Sequence, residues 1–346
     1  MIEKLKSAHP TIPIVLSFYS PSGFEIRKNY PHVDLVLYLP ADTPSNARRW
    51  LEILEPQMAI FVKYEFWLNY LFELDKQRVP RYLIASSFRK KQIFFQWYGG
   101  LFRKALAGYK TIFVQSESDK ILLNKLNINP IIVAGDPRID RVIEIAKNPT
   151  AIPIISNFAQ RAPLLILGSS WPPEEKILNT FLIKNTELPY SVVIAPHDIS
   201  TTHLNEIEEN APLPIQRLSE VQNNGLEPTT RILLVDSIGL LSSIYQYGKI
   251  AFIGGGFGAG IHNILEPIAF GLPTLIGTNH HKFPEAKYLI EKGGVFSIKG
   301  ENGFSKRILT LSSLNNYNQA VKVNQDFIDK NRGATEIIFK KLDLYK

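Results

Sequence analysis

The sequence contains no cysteine, which removes disulfides, thiolate metal sites and cysteine nucleophiles from consideration. It also lacks a long apolar run. Nothing approaches the roughly 18 to 20 residues that a membrane-spanning helix needs, and the longest candidates, such as Ile12–Phe18, are strand-sized and interrupted. The N-terminus, Met-Ile-Glu-Lys-Leu-Lys, has no apolar core of the signal-peptide kind. The seven histidines lack metal-ligand spacing, since the adjacent pair His280 and His281 cannot both face one ion from a helix or strand. No repeat of fixed period is evident, and no long basic run interleaved with aromatics stands out, which sets solenoids and nucleic-acid binding aside.

What is present is an ordinary globular balance, 45% hydrophobic and 21% charged over 346 residues, long enough for two cores. The net charge of +7 suits an anionic partner such as a phospholipid or phosphorylated sugar, and equally a solvated basic surface.

Short apolar runs alternate with amphipathic stretches, the pattern of βαβ units and parallel sheets. Strands are predicted at Ile12–Phe18, Val33–Leu39, Met58–Val62, Tyr82–Ala85, Thr111–Gln115 and Ile131–Ala134. A second series comprises Leu164–Leu167, Ser191–Ala195, Ile232–Val235, Ile250–Ile253 and Thr274–Ile276. Helices are predicted at Pro44–Leu54, Trp67–Gln77 and from a Ser118 cap to Leu126, with a final helical stretch over about Asn318–Leu344. The division reads as a domain over 1–145, a linker over 146–160 within a weakly patterned, proline-broken stretch from about Asp136 to Ala162, and a domain over 161–346 that includes the terminal helix. Two successive α/β domains facing a cleft are expected, and in open α/β sheets ligands sit beyond the carboxyl ends of the strands.

The densest such segment runs from Ile253 through Gly254, Gly255 and Gly256 to His262, Asn263, Ile264, Leu265 and Glu266. Glycines let a backbone approach a phosphate, and a glutamate in the first helical turn can cap the helix or accept from a ribose diol. A tight turn followed by a capped helix explains the same residues. The pattern fits neither the dinucleotide fingerprint nor a P-loop. Ser169 and Ser170, before a proline-started helix, can cradle an anion or simply cap. His197 after Pro196, and Asp236 before Ser237, end two further strands. In the first half, Glu25, Glu65, Ser86, Ser87 and Arg89 stand at strand ends, Glu65 among aromatic neighbours.

In order and register these segments resemble the Kdo transferases (3-deoxy-D-manno-octulosonic acid transferases). The matching blocks are Ser20-Pro-Ser-Gly, Tyr38-Leu-Pro-Ala-Asp42, Glu65-Phe-Trp-Leu-Asn69, Gln115-Ser-Glu and Ala134-Gly-Asp. They continue with Gly168-Ser-Ser-Trp, Ala195-Pro-His, Asp236-Ser-Ile-Gly, Gly254-Gly-Gly and His262-Asn-Ile-Leu-Glu-Pro. The resemblance implies a GT-B fold and inverting transfer of Kdo from CMP-Kdo to a lipid A precursor in lipopolysaccharide synthesis, without a cofactor metal, at the cytoplasmic face of the inner membrane. It implies CMP contacts from Pro196, His197, Ser237, Ile238, Gly239, Asn263, Ile264, Leu265 and Glu266. Ser169, Ser170, Gly254, Gly255 and Gly256 are phosphate-loop candidates, and Glu65 is a candidate on the acceptor side. Two departures accompany it: His197 stands where the family has arginine, and the Gly254–His262 block is looser than the family form.

The resemblance further places the family's anchor, first strand and Ser-x-Gly-Glu glutamate, its general base, upstream of Met1. On that expectation this chain binds CMP, acts peripherally at the membrane and transfers Kdo poorly. A nucleotide-binding GT-B protein without catalysis and a GT-B enzyme using a UDP-sugar are the competing expectations.

Overall fold

Strands joined by helical crossovers re-enter a sheet from the same end, so they pair in parallel. In the computed structural model, which describes residues 1–128, 130–185 and 189–342, every strand pairing is parallel. The chain forms two compact units: Met1–Asp140 with Arg332–Lys346, and Arg141–Asn331.

The first unit contains β1 (Val15–Phe18), β2 (Leu35–Tyr38), β3 (Ala59–Val62), β4 (Arg81–Ser86), β5 (Thr111–Val114) and β6 (Ile131–Val133). Among the described residues β1 and β2 form a two-stranded sheet, and β3 to β6 a four-stranded one in sequence order. The central strand β4 is buried along its whole length. Its alternation serves two cores: Leu83 packs with Leu71, Leu106 and Ile112 on one face, while Tyr82 and Ile84 pack with Phe113 on the other. By contrast β1 and β2 leave Val15 40% and Leu35 44% exposed.

The helix Pro44–Leu54 has the bounds predicted from its sequence. Thr43 accepts a hydrogen bond from Asn46 N, Pro44 opens the helix, and Glu55 ends it in the left-handed region at φ 42°. The helix predicted from Ser118 runs instead over Glu117–Asn124, because Ser116 is the cap that accepts from Asp119 N. The weakly patterned stretch around the expected linker carries two helices, Pro137–Lys147, which ends just inside it, and Pro153–Ala159. Pro137 and Pro153 stand at helix starts, where the missing N–H is not needed, and only Pro149 lies in the connection between the two helices.

The closing segment also differs from expectation. It is two helices, Leu314–Asn331 and Ala334–Lys341, parted at Gly333 with φ 98°. The second packs with the first unit, not with the domain over 161–346. Ile338, fully buried, and Leu342 join the core of Tyr82, Ile84 and Phe113. The Asp140 carboxylate accepts from Gly333 N and Thr335 N, both at 2.6 Å, and Lys4 pairs with Glu336. The end of the expected helix, from residue 343, lies outside the described residues.

The second unit contains β7 (Leu164–Ser170), β8 (Ser191–Pro196), β9 (Ile215–Arg217), β10 (Ile232–Leu234), β11 (Gly248–Ile253), β12 (Thr274–Ile276) and β13 (Val295–Ser297). Among the described residues they form one seven-stranded sheet in the order β13-β12-β11-β7-β8-β10-β9. From β7 the chain builds outward through β8, then crosses back to lay β11 on the other side of β7. The order therefore reverses between β7 and β11, and the loops leaving these neighbours diverge to open a crevice at their carboxyl ends.

Candidate functional site

That switch point brings together the loops after β7 and β11. Three glycines are required there by close backbone approach. A Cβ on Gly254 would overlap the Ser169 carbonyl, and one on Gly256 would lie 2.5 Å from Gly277 N. Gly255 has φ 84°, a conformation that favours glycine. Gly254 N donates to Gly168 O at 2.9 Å, and the Gly255 and Phe257 amides face the buried Glu174 carboxylate. Burial pushes that carboxyl up from its ordinary value. The glycine stretch is thus a packed backbone layer whose Gly254, Gly255 and Gly256 are buried and whose donors are turned inward.

Ser169 takes the left-handed conformation at φ 50°. Ser170 is fully buried and donates its hydroxyl to Glu175 Oε1 at 2.7 Å. His203 Nε2 meets the same oxygen at 3.1 Å. Ser170 is therefore an internal tie, and its carbonyl takes His197 N at 3.0 Å, joining the β7 and β8 loop ends.

On the open side three aromatic rings stack. Trp171 lies 4.9 Å from His197, and His197 lies 4.4 Å from His262, with the two imidazoles 25° from parallel. Trp171 Nε1 donates to His262 Nε2 at 2.9 Å. Trp171 and His262 stand inside quoted motifs, but sequence reasoning gave them no role. The signal was the pairing of Ser-Ser-Trp with His-Asn at adjacent strand ends.

Beyond His262 the chain enters the five-residue helix Leu265–Ala269, two residues later than the predicted start near Asn263. Asn263 is exposed, with Oδ1 accepting from Leu265 N and Nδ2 donating to Glu266 Oε1 at 2.8 Å. Ile264 and Leu265 are buried as core. Burial raises the Glu266 carboxyl from its ordinary value, opposed by the Asn263 hydrogen bond. The fully buried Tyr245 hydroxyl is raised well above its own, first by burial and then by the Glu266 charge. Glu266 is thus an oriented, half-desolvated acceptor.

Ser237, Ile238 and Gly239 form the loop after β10. Ile238 is 85% exposed, and Gly239 has φ 93°. The helix Leu241–Ile244 follows, and its Leu241 side chain packs next to Gly168. Asp236 is engaged structurally, accepting from Ser219 N at 3.2 Å and from the Ser219 hydroxyl.

In the first unit Glu65 is exposed and accepts from Trp67 Nε1, whose ring lies 4.6 Å from Tyr19. Asp42 fixes the following helix by accepting from Asn69 N at 3.0 Å. Glu25 pairs with Lys28 on the surface. Ser86 donates its hydroxyl to Phe113 O inside the core, and Ser87 donates to Asp119. Arg89 is exposed.

Two units of parallel α/β structure, the second with its switch-point crevice, define a protein of the GT-B glycosyltransferase fold. A solved UDP-N-acetylglucosamine 2-epimerase of this fold is 13% identical and matches with a TM-score of 0.66, covering 100% of this chain and 92% of its own. The 3-deoxy-D-manno-octulosonic-acid transferase (kdotransferase) family profile matches residues 1–141. The 3-deoxy-D-manno-octulosonic acid transferase of Aquifex aeolicus is 27% identical over 91% of this chain and 82% of its own. That of Haemophilus influenzae is 24% identical over 100% and 82%. The chain is thus a sequence relative of the Kdo transferases across both units.

Proposed function

We propose that the chain is an inverting glycosyltransferase that moves Kdo from CMP-Kdo to a lipid A precursor in lipopolysaccharide synthesis, at the cytoplasmic face of the inner membrane. Kinship with Kdo transferases supports the reaction class. The observation that carries the donor assignment is Glu266, held by Asn263 and half-buried beside the switch-point crevice.

In this reading Glu266 accepts both hydroxyls of the ribose. Pro196 with His197 and the loop Ser237-Ile238-Gly239 flank the nucleotide. His197, exposed at the end of β8, meets the phosphate in place of the family's arginine. Cleavage of the sugar–phosphate bond leaves CMP with growing negative charge, which fixed donors stabilise without reorganising. Gly254, Gly255 and Gly256 act from behind, setting the position of His262 and Asn263. Glu65, with Trp67 and Tyr19, stands on the acceptor side.

Calorimetric titration tests the assignment. CMP binds more tightly than UDP, and Glu266→Ala weakens CMP by about ten- to a hundredfold, the loss of charge-assisted hydrogen bonds worth about 1.5–3 kcal/mol. Equal affinity for UDP, or CMP binding indifferent to Glu266→Ala, overturns it.

A further inference from the structure

The loop that follows β8 leaves His197, Asp198 and Ser200 exposed, and exposed loop residues are ordinarily the mobile ones. A side chain that meets a phosphate has to be fixed in advance if it is to act without reorganising. What fixes His197 lies under the surface. Glu175 stands on the first turn of the helix Pro172–Lys184 and is 8% exposed. Burying a carboxylate costs free energy that an apolar side chain of the same size would not. What Glu175 holds accounts for its presence there.

Its Oε1 accepts from two donors, Ser170 Oγ at 2.7 Å and His203 Nε2 at 3.1 Å. A carboxylate only accepts, so the His203 ring carries its proton on Nε2. His203 is buried on the first turn of the helix Thr201–Glu209, and its Nδ1 lies 3.7 Å from Glu206 Oε2, too far for a hydrogen bond. One carboxylate oxygen thus joins the end of β7 to the helix that follows β8. The His197 loop spans the interval between those two points. At its start His197 N donates to Ser170 O at 3.0 Å. At its end Asp198 accepts from Ser200 N at 2.9 Å and from Ser200 Oγ at 3.0 Å, and Ser200 Oγ caps the helix of His203. With the backbone held at both ends, the His197 ring is stacked between Trp171 and His262 and has one direction left open.

We propose that His203 and Glu175 are positioning residues for the donor phosphate, holding His197 in place from beneath its loop. Neither touches the nucleotide, and both act through His197. The proposal rests on the donor reading above, and specifically on the contact of His197 with the phosphate.

The test is titration with CMP and with cytidine, which lacks the phosphate. His203→Leu fills the space of the ring without its donor, and His203→Ala is the second variant. Each weakens CMP by about tenfold, the loss of one hydrogen bond to a charged group, and changes cytidine by less than about twofold. His203→Gln keeps a donor toward Glu175 and restores CMP binding to within about twofold of wild type. Adding His203→Leu to His197→Ala costs nothing beyond His197→Ala alone, because both remove the same contact. Equal losses for CMP and cytidine, or losses that add in the double variant, overturn the proposal and leave His203 a structural residue. CMP binding that His197→Ala weakens and both His203 variants leave intact refutes the positioning role alone. Absence of CMP binding in the wild type, or its indifference to His197→Ala, refutes the reading of the phosphate contact and this inference with it.

Discussion

Trp171 gives its indole proton to Nε2 of His262 at 2.9 Å. Indole nitrogen only donates, so His262 Nε2 must be the acceptor, and the imidazole carries its proton on Nδ1. Protonating Nε2 would set two N–H groups against each other. The imidazole is therefore held neutral by geometry as well as by its surroundings, burial first and then the neighbouring His197, which lower its pKa from 6.5.

The lowered value has a sign. As pH falls below about 6.5 the unfolded chain takes up a proton at this histidine before the folded one does, so its contribution to stability declines with acidity and is constant above that pH. An NMR titration of the His262 ring shows a midpoint below 6.5, and Trp171→Phe moves it upward. An unshifted midpoint in the wild type would show that the ring is not held this way.

The glycine layer separates two kinds of glycine. Gly254→Ala drives a methyl group into the Ser169 carbonyl, whereas the nearest atom to a Cβ on Gly258 is Gly255 O at 3.8 Å. Urea unfolding is expected to give a loss of about 1–3 kcal/mol for Gly254→Ala and less than about 0.5 kcal/mol for Gly258→Ala. Equal losses would contradict the backbone-contact explanation.

Asp140 caps the closing helix through Gly333 N and Thr335 N. Asp140→Ala should cost about 0.5–2 kcal/mol and Asp140→Asn much less. Hydrogen exchange is the discriminating measurement. Faster exchange is expected in Ala334–Lys341 and in its sheet partners, with β7 and β8 unaffected.

Much of this architecture was legible in the sequence because strands and helices were separated by clear punctuation. Thr274–Ile276 and Pro44–Leu54 were read with their observed bounds. The strands Ile215–Arg217 and Val295–Ser297 were missed. Each is three residues long at a sheet edge and pairs with a single neighbour, so pairing rather than local composition makes it a strand. The helices of the weakly patterned stretch around the expected linker were missed because Pro137 and Pro153 were taken as breaks when they are starts. At the site, the strand-end loops were visible. The packing duty of Gly254 and Gly256 was not, since a sequence does not record which atoms a missing Cβ avoids. Nor was the contact of Trp171 with His262, which the chain brings together from 91 residues apart.

The return of the helix Ala334–Lys341 to the first unit bears on the order of biosynthesis. Ile338 and Leu342 complete a core begun by Tyr82, Ile84 and Phe113, while Arg141–Asn331 is continuous in the chain. Domains generally fold as units while the chain emerges. The second unit can therefore close as soon as it leaves the ribosome, whereas the unit that starts first must wait, with one face of its sheet uncovered, until the last helix arrives. During that interval Tyr82 and Phe113 are the surfaces a nascent-chain chaperone would find.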